Sequence, residues 1–163
     1  MPSTTPAQRA DGHLADLRKV LESLSYPYPE GGRIAVKVHW GERGNRSYLS
    51  PRYAREVAAF LKEKGWRPFL FDTTVLYSGG RRTGGASLET AARHGYTEEF
   101  VGCPLVIGDG MDGRDVVELP GERHFKTVEV TSLVNGVDGF FIFSHFKGHL
   151  ASGFGGAVKN LSM

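Results

Sequence analysis

Arg33-Ile34-Ala35-Val36-Lys37-Val38-His39-Trp40, followed by Ser50-Pro51 and then by Arg67-Pro68-Phe69-Leu70-Phe71-Asp72-Thr73, is the stretch that decides the fold. In its first segment Ile34, Val36, Val38 and Trp40 fall on one side of a period-two strand, while Ala35, Lys37 and His39 fall on the other. Ser50 and Pro51 read as an N-cap and a first helical residue; Tyr53, Val57, Phe60 and Leu61 then line one side of a helix that Gly65 closes. The second strand, Arg67 to Thr73, follows at once. Such short connections make it parallel to the first through a right-handed crossover.

Upstream, Leu14, Leu17, Val20, Leu21 and Leu24 recur at helical spacing and predict an amphipathic helix from Ala7 to Leu24, ended by Pro27, Pro29, Gly31 and Gly32. Downstream, Ser87 is expected to cap a third helix running to Gly95, Thr97 to cap a short turn, and Pro104 to Ile107 to form a third strand. Asp115 to Leu119 and His124 to Val130 flank Pro120-Gly121-Glu122 as a hairpin does. Ser132 to Val137 reads as a helical turn. Gly139-Phe140-Phe141-Ile142-Phe143 is apolar on both faces and so predicts a central strand. The expectation is one α/β domain over residues 1–163, with a mainly parallel sheet flanked by helices and a small antiparallel β-hairpin insertion.

With 163 residues the chain can bury roughly 70% of the surface its unfolded form exposes, so it needs no staples. Forty per cent hydrophobic and 23% charged residues is the balance of an ordinary globule. A net charge of +2 is too small for a nucleic-acid or membrane surface, and no aromatic stacking platform or basic stripe is visible. The start, Met1-Pro2-Ser3-Thr4-Thr5-Pro6, has neither a basic nor an apolar leader region, which makes the cytoplasm the expected compartment. One cysteine, Cys103, excludes an internal disulfide and any cysteine-clustered metal site built from this chain alone; at the entrance to an apolar strand it reads as a small buried thiol.

Ligands of open parallel sheets bind beyond the strand carboxyl ends, where loops and helix starts face a common crevice. Three strand ends here carry polar groups. The first delivers Lys37, His39 and Glu42, the second Asp72 and Thr73, the last Ser144, His145, Lys147 and His149. Lys37 on a largely apolar strand needs a counter-charge, and Asp72 is the expected partner. His39 reads either as a hydrogen-bonded interior group or as a ligand, and Asp72-Thr73 either as a turn cap or as part of a site. His39, His145 and His149 are the candidate metal ligands, although Gly148 argues against a helix that would put the last two on one face. His13, His94 and His124 are expected on the surface. Gly153-Phe154-Gly155-Gly156 before Ala157-Val158-Lys159-Asn160 lacks the dinucleotide and P-loop spacings; it offers either a helix start aimed at an anion, with Gly155, Gly156 and Lys159, or a tight turn. The loop Thr74 to Ala86, rich in glycine, is either mobile or wraps a ligand. The partner these residues suit is a small anionic molecule, with a divalent transition metal as the candidate cofactor.

Val36 to Asn45, and Ser144 to His149 running on to Gly153 to Leu161, resemble conserved blocks of the uncharacterised iron-sulfur-centre proteins of domain of unknown function 362. Asp72-Thr73 with Leu76-Tyr77, and Ile107 to Gly110, are similar to that family as well, so the likeness runs from Arg33 onward. Longer members carry ferredoxin-like cysteine motifs that hold four-iron clusters, placed after the Lys-Asn-Leu helix. Where they continue with a glycine and then a cysteine, this chain has Ser162 and Met163. The resemblance therefore implies the amino-terminal, ligand-binding part of a ferredoxin-associated protein. Its four-iron cluster would lie in a missing carboxyl-terminal region, and its partner would be a redox protein or the remainder of the same polypeptide. The competing expectation is a non-catalytic nucleotide- or anion-binding or assembly module with no redox role. No catalytic residue is assigned.

Overall fold

A computed structural model describes residues 6–149 and 152–162; the Met1 to Thr5 stretch read for a leader, and Met163, lie outside them. The elements run α1 (Pro6–Ser23), β1 (Arg33–Lys37), α2 (Pro51–Glu63), β2 (Arg67–Asp72), α3 (Gly84–Arg93), α4 (Glu98–Val101), β3 (Leu105–Ile107), β4 (Val116–Pro120) and β5 (Thr127–Thr131). A 3-10 turn at Ser132–Asn135 leads to β6 (Gly139–Ile142), β7 (Lys147–His149), β8 (Gly153–Gly155) and α5 (Ala157–Ser162). Four strands form one parallel sheet in the order β3-β2-β1-β6, and two antiparallel hairpins, β4-β5 and β7-β8, stand apart from it. The fold is therefore α/β, and all four sheet strands end at one edge.

The alternation read in β1 decides which face carries the core. Ile34, Val36, Val38 and Trp40 are fully buried and meet Leu21 of α1, Val57, Phe60 and Leu61 of α2, Ala91 of α3 and Val101 of α4. Each such large side chain contributes about 1.5–3 kcal/mol relative to leaving it in water. On the other face Ala35, Phe69 and Phe71 gather Val106, Leu133, Val137 and Phe140 into a smaller cluster. Ser50 caps α2, accepting from the Arg52 N–H, with Pro51 in the first turn. Among the described residues no helix is long and apolar enough to cross a membrane.

Several boundaries differ from expectation for physical reasons. α3 starts at Gly84 with Thr83 as its cap; Ser87 lies inside the helix, where its buried Oγ accepts from Trp40 Nε1 at 3.1 Å. Glycine is needed at position 84 because a Cβ there would come within 2.7 Å of Met111 Cα. β6 is an edge strand of half-buried residues, not a central one: its aromatic side chains fill both layers while only β1 pairs with it. The β4-β5 connection spans residues 121–126, longer than the turn read at Pro120-Gly121-Glu122. Val20 and Leu24 remain exposed, and Leu24 lies beyond the end of α1.

Cys103 is buried, and burial pushes its thiol up to about 11. Because the thiolate is the reactive form, iodoacetamide is expected to label Cys103 slowly in the folded chain at neutral pH and readily in denaturant. Mass spectrometry after timed quenching checks this, and fast labelling of the folded form would contradict the placement.

Candidate functional site

Parallel pairing of β1 with β2 puts Lys37 opposite Phe71, so Asp72 projects from the neighbouring strand one residue beyond it. Lys37 Nζ donates to Asp72 Oδ1 at 2.6 Å, the Thr73 N–H donates to the same oxygen at 2.9 Å, and the ammonium is only 2% exposed. The other oxygen, Oδ2, has Arg81 Nη1 at 3.0 Å as its ion-pair partner and His39 Nδ1 beside it at 3.5 Å, and it has no directed hydrogen bond among the described residues. One carboxylate thus serves two buried cations, with the His39 ring beside it. Burial alone would raise the Asp72 carboxyl, but Lys37, with Arg81 beside it, holds it well below the usual carboxylate range.

Arg81 comes from the loop between β2 and α3 and is 3% exposed. Its carbonyl accepts from the Val75 N–H at 3.2 Å, and its Nε stands 3.3 Å from Glu42 Oε1. The glycine-rich loop is therefore anchored at buried Val75 and Arg81, while Leu76 to Gly79 are exposed. Arg81 Nη1 also donates to His39 Nδ1. A ring nitrogen that accepts from a guanidinium carries no proton, so the N–H of His39 is on Nε2. Glu42 in turn accepts from the Tyr77 hydroxyl; burial first, then Glu42, pushes that phenol up to about 12, which keeps it a donor. Gly41, at φ 92°, takes the chain from His39 to Glu42 through a conformation suited to glycine.

At the carboxyl edge of the sheet a cavity of about 550 Å³ opens between these groups and the last three elements. Lys37, His39, Asp72, Tyr77 and Arg81 form part of its wall; Ser144, His145, Lys147 and His149 form another part, and Ser152, Gly155, Gly156, Lys159 and Asn160 complete it. The inner face of the β7-β8 hairpin follows period-two geometry: Lys147 pairs with Gly155 and His149 with Gly153, while Phe146 and Phe154 lie outside, ring centres 5.6 Å apart. A Cβ on Gly155 would stand 3.7 Å from Lys147 Cγ and 3.8 Å from Lys159 Cδ, so both lysine stems pass this glycine. Asn160 Nδ2 donates to Ser144 Oγ at 3.0 Å and, at 3.4 Å each, to the carbonyls of Lys37 and Phe143.

Among the residues singled out in the sequence, Lys37, His39, Asp72, His145, Lys147, His149, Gly155, Gly156 and Lys159 border this one cavity. Glu42 and Thr73 stand behind its wall, the first holding Arg81 and Tyr77, the second bracing Asp72. His149 Nδ1 accepts from the Ser152 N–H at 3.2 Å. Among the described residues no set of three or more His, Cys, Asp or Glu side chains is close enough to hold a metal ion; the three histidines border the cavity without forming one. His94, expected on the surface, is half-buried: its Nδ1 lies 2.7 Å from the Trp40 carbonyl and its ring stacks on Tyr48 at 3.9 Å. Arg81, Tyr77, Ser152 and Asn160 were not singled out as site residues. The only sequence hint at Arg81 is a doubled arginine inside a glycine-rich loop.

No curated protein and no solved structure matches the chain. Residues 34–163 match the family described as domain of unknown function (DUF362), a span that opens at β1 and takes in every residue of the cavity wall. The chain belongs to that family.

Proposed function

We propose that the cavity at the carboxyl edge of the sheet binds a small dianion, a phosphate or carboxylate compound. The carrying observation is the pair Lys147 and Lys159, whose stems flank Gly155 and which have no acidic partner among the described residues. Around the cavity four fixed cations, Lys37, Arg81, Lys147 and Lys159, face two carboxylates, Asp72 and Glu42, and both carboxylates are already engaged by Lys37 and Arg81. Two positive charges are left over, and a doubly charged anion matches them. The Nε2–H of His39 is a further donor for such a ligand.

The family resemblance extends this reading: the domain would be the ligand-binding portion of a ferredoxin-associated iron-sulfur-centre protein. A four-iron cluster is held by about four thiolates, and this chain has a single cysteine, so the cluster would sit on other polypeptide. A divalent metal drawing on His39, His145 and His149 is the second reading; the three share the cavity but are not grouped closely enough to hold an ion as they stand.

Titration calorimetry with inorganic phosphate and, separately, with zinc ion tests both. Lys147→Ala and Lys159→Ala are each expected to weaken phosphate binding about tenfold, the effect of one charge-assisted hydrogen bond, with the circular dichroism of the folded chain unchanged. Phosphate affinity unaltered in both variants would overturn the anion reading. Zinc binding without phosphate binding, lost in His145→Ala and His149→Ala, would put the metal reading in its place.

A further inference from the structure

The geometry points to a ligand that carries an aromatic ring beside its anionic group, with Tyr77 as the ring's platform; this rests on the anion reading above and narrows it. A cavity of about 550 Å³ is far larger than an inorganic anion and belongs to the size class that encloses small organic molecules. Its charge is unevenly placed. The unengaged ammonium groups belong to β7 and α5, whereas the wall contributed by the loop after β2 carries the Tyr77 ring.

That ring is held in place. Its hydroxyl donates to Glu42, and Glu42 is itself fixed by buried Arg81. Gly79 backs it: a Cβ there would stand 3.7 Å from both Cδ2 and Cε2 and 3.6 Å from Glu42 Oε2. Tyr77 is nevertheless 50% exposed while bordering the cavity. A large apolar ring, oriented by its polar tip and left half uncovered while it lines a cationic cavity, lacks among the described residues the stacking partner that aromatic faces ordinarily find. Preorganisation lowers the ordering cost of binding, so a ligand ring laid on Tyr77 gains more than it would on a freely rotating side chain. The ligand class is thus an aryl or heteroaryl phosphate or carboxylate.

The test compares phenyl phosphate with cyclohexyl phosphate, which has the same charge and a similar size but no π face. Calorimetry on the folded chain is expected to give a two- to tenfold preference for phenyl phosphate. Tyr77→Leu should remove the preference while leaving cyclohexyl phosphate binding nearly intact; Tyr77→Phe, which keeps the ring and loses the anchor, should retain part of it and guards against a folding defect in the first variant. Lys159→Ala should weaken both esters alike. Equal affinity for the two esters, or a preference that survives in Tyr77→Leu, overturns the ring platform and leaves the anion reading standing. Binding of neither ester overturns both.

Discussion

Asp72→Ala is expected to lower the stability of the domain by about 3–5 kcal/mol, because it leaves the Lys37 ammonium as an uncompensated charge in the interior and the Arg81 guanidinium with Glu42 alone. Urea unfolding at neutral pH measures this, and a loss under about 1 kcal/mol would contradict it. The same carboxylate sets an acid limb. Its folded form is held below the ordinary carboxylate range, so the stabilisation is complete above the unfolded value, about pH 4, and is lost as pH falls below that toward the lower folded value. Asp72→Asn removes this titration, and its stability should change less between neutral pH and pH 3 than that of the parent chain. Lys37→Met is expected to cost less than Asp72→Ala, since Asp72 keeps Arg81.

Trp40→Ala carries the second large effect, a loss of about 3–5 kcal/mol from emptying the space of the largest fully buried side chain. Thermal and urea unfolding read it directly. Trp40→Phe should cost less, roughly 1–3 kcal/mol, much of it from depriving buried Ser87 of its indole donor. Trp40 stands next to His39 beyond the end of β1, so emptying its space should also loosen that wall of the cavity and weaken phosphate binding. A Trp40→Ala domain with wild-type stability would mean that this face of the sheet does not carry the core.

The β1-α2-β2 unit was legible because two signals agree on it: period-two alternation separates Ile34, Val36, Val38 and Trp40 from Lys37 and His39, and Ser50-Pro51 marks the helix start. Once the strands are parallel, Asp72 has to be the counter-charge for Lys37. The start of α3 was not legible, because Gly84-Gly85 read as loop when Gly84 is there to let Met111 approach. Nor was the place of β6, since an all-apolar run is equally suited to an edge that fills two layers and to a centre. The β7-β8 hairpin escaped notice because Gly153 and Gly155 are weak strand formers; they pair here opposite His149 and Lys147. Arg81 was invisible for a different reason. Its partners Glu42 and His39 lie far away in sequence, and nothing local distinguishes it from Arg82, which is exposed.

Asn160 is the amide that fastens α5 to the last residue of β1 and to the residues just after β6, and its chain neighbour is Lys159. A lysine is ordinarily the most pliant of cations, swinging on four methylenes. Here its root is moored to the rigid backbone of the sheet, so the region the ammonium can sweep is bounded by the architecture and not by the reach of its own tether.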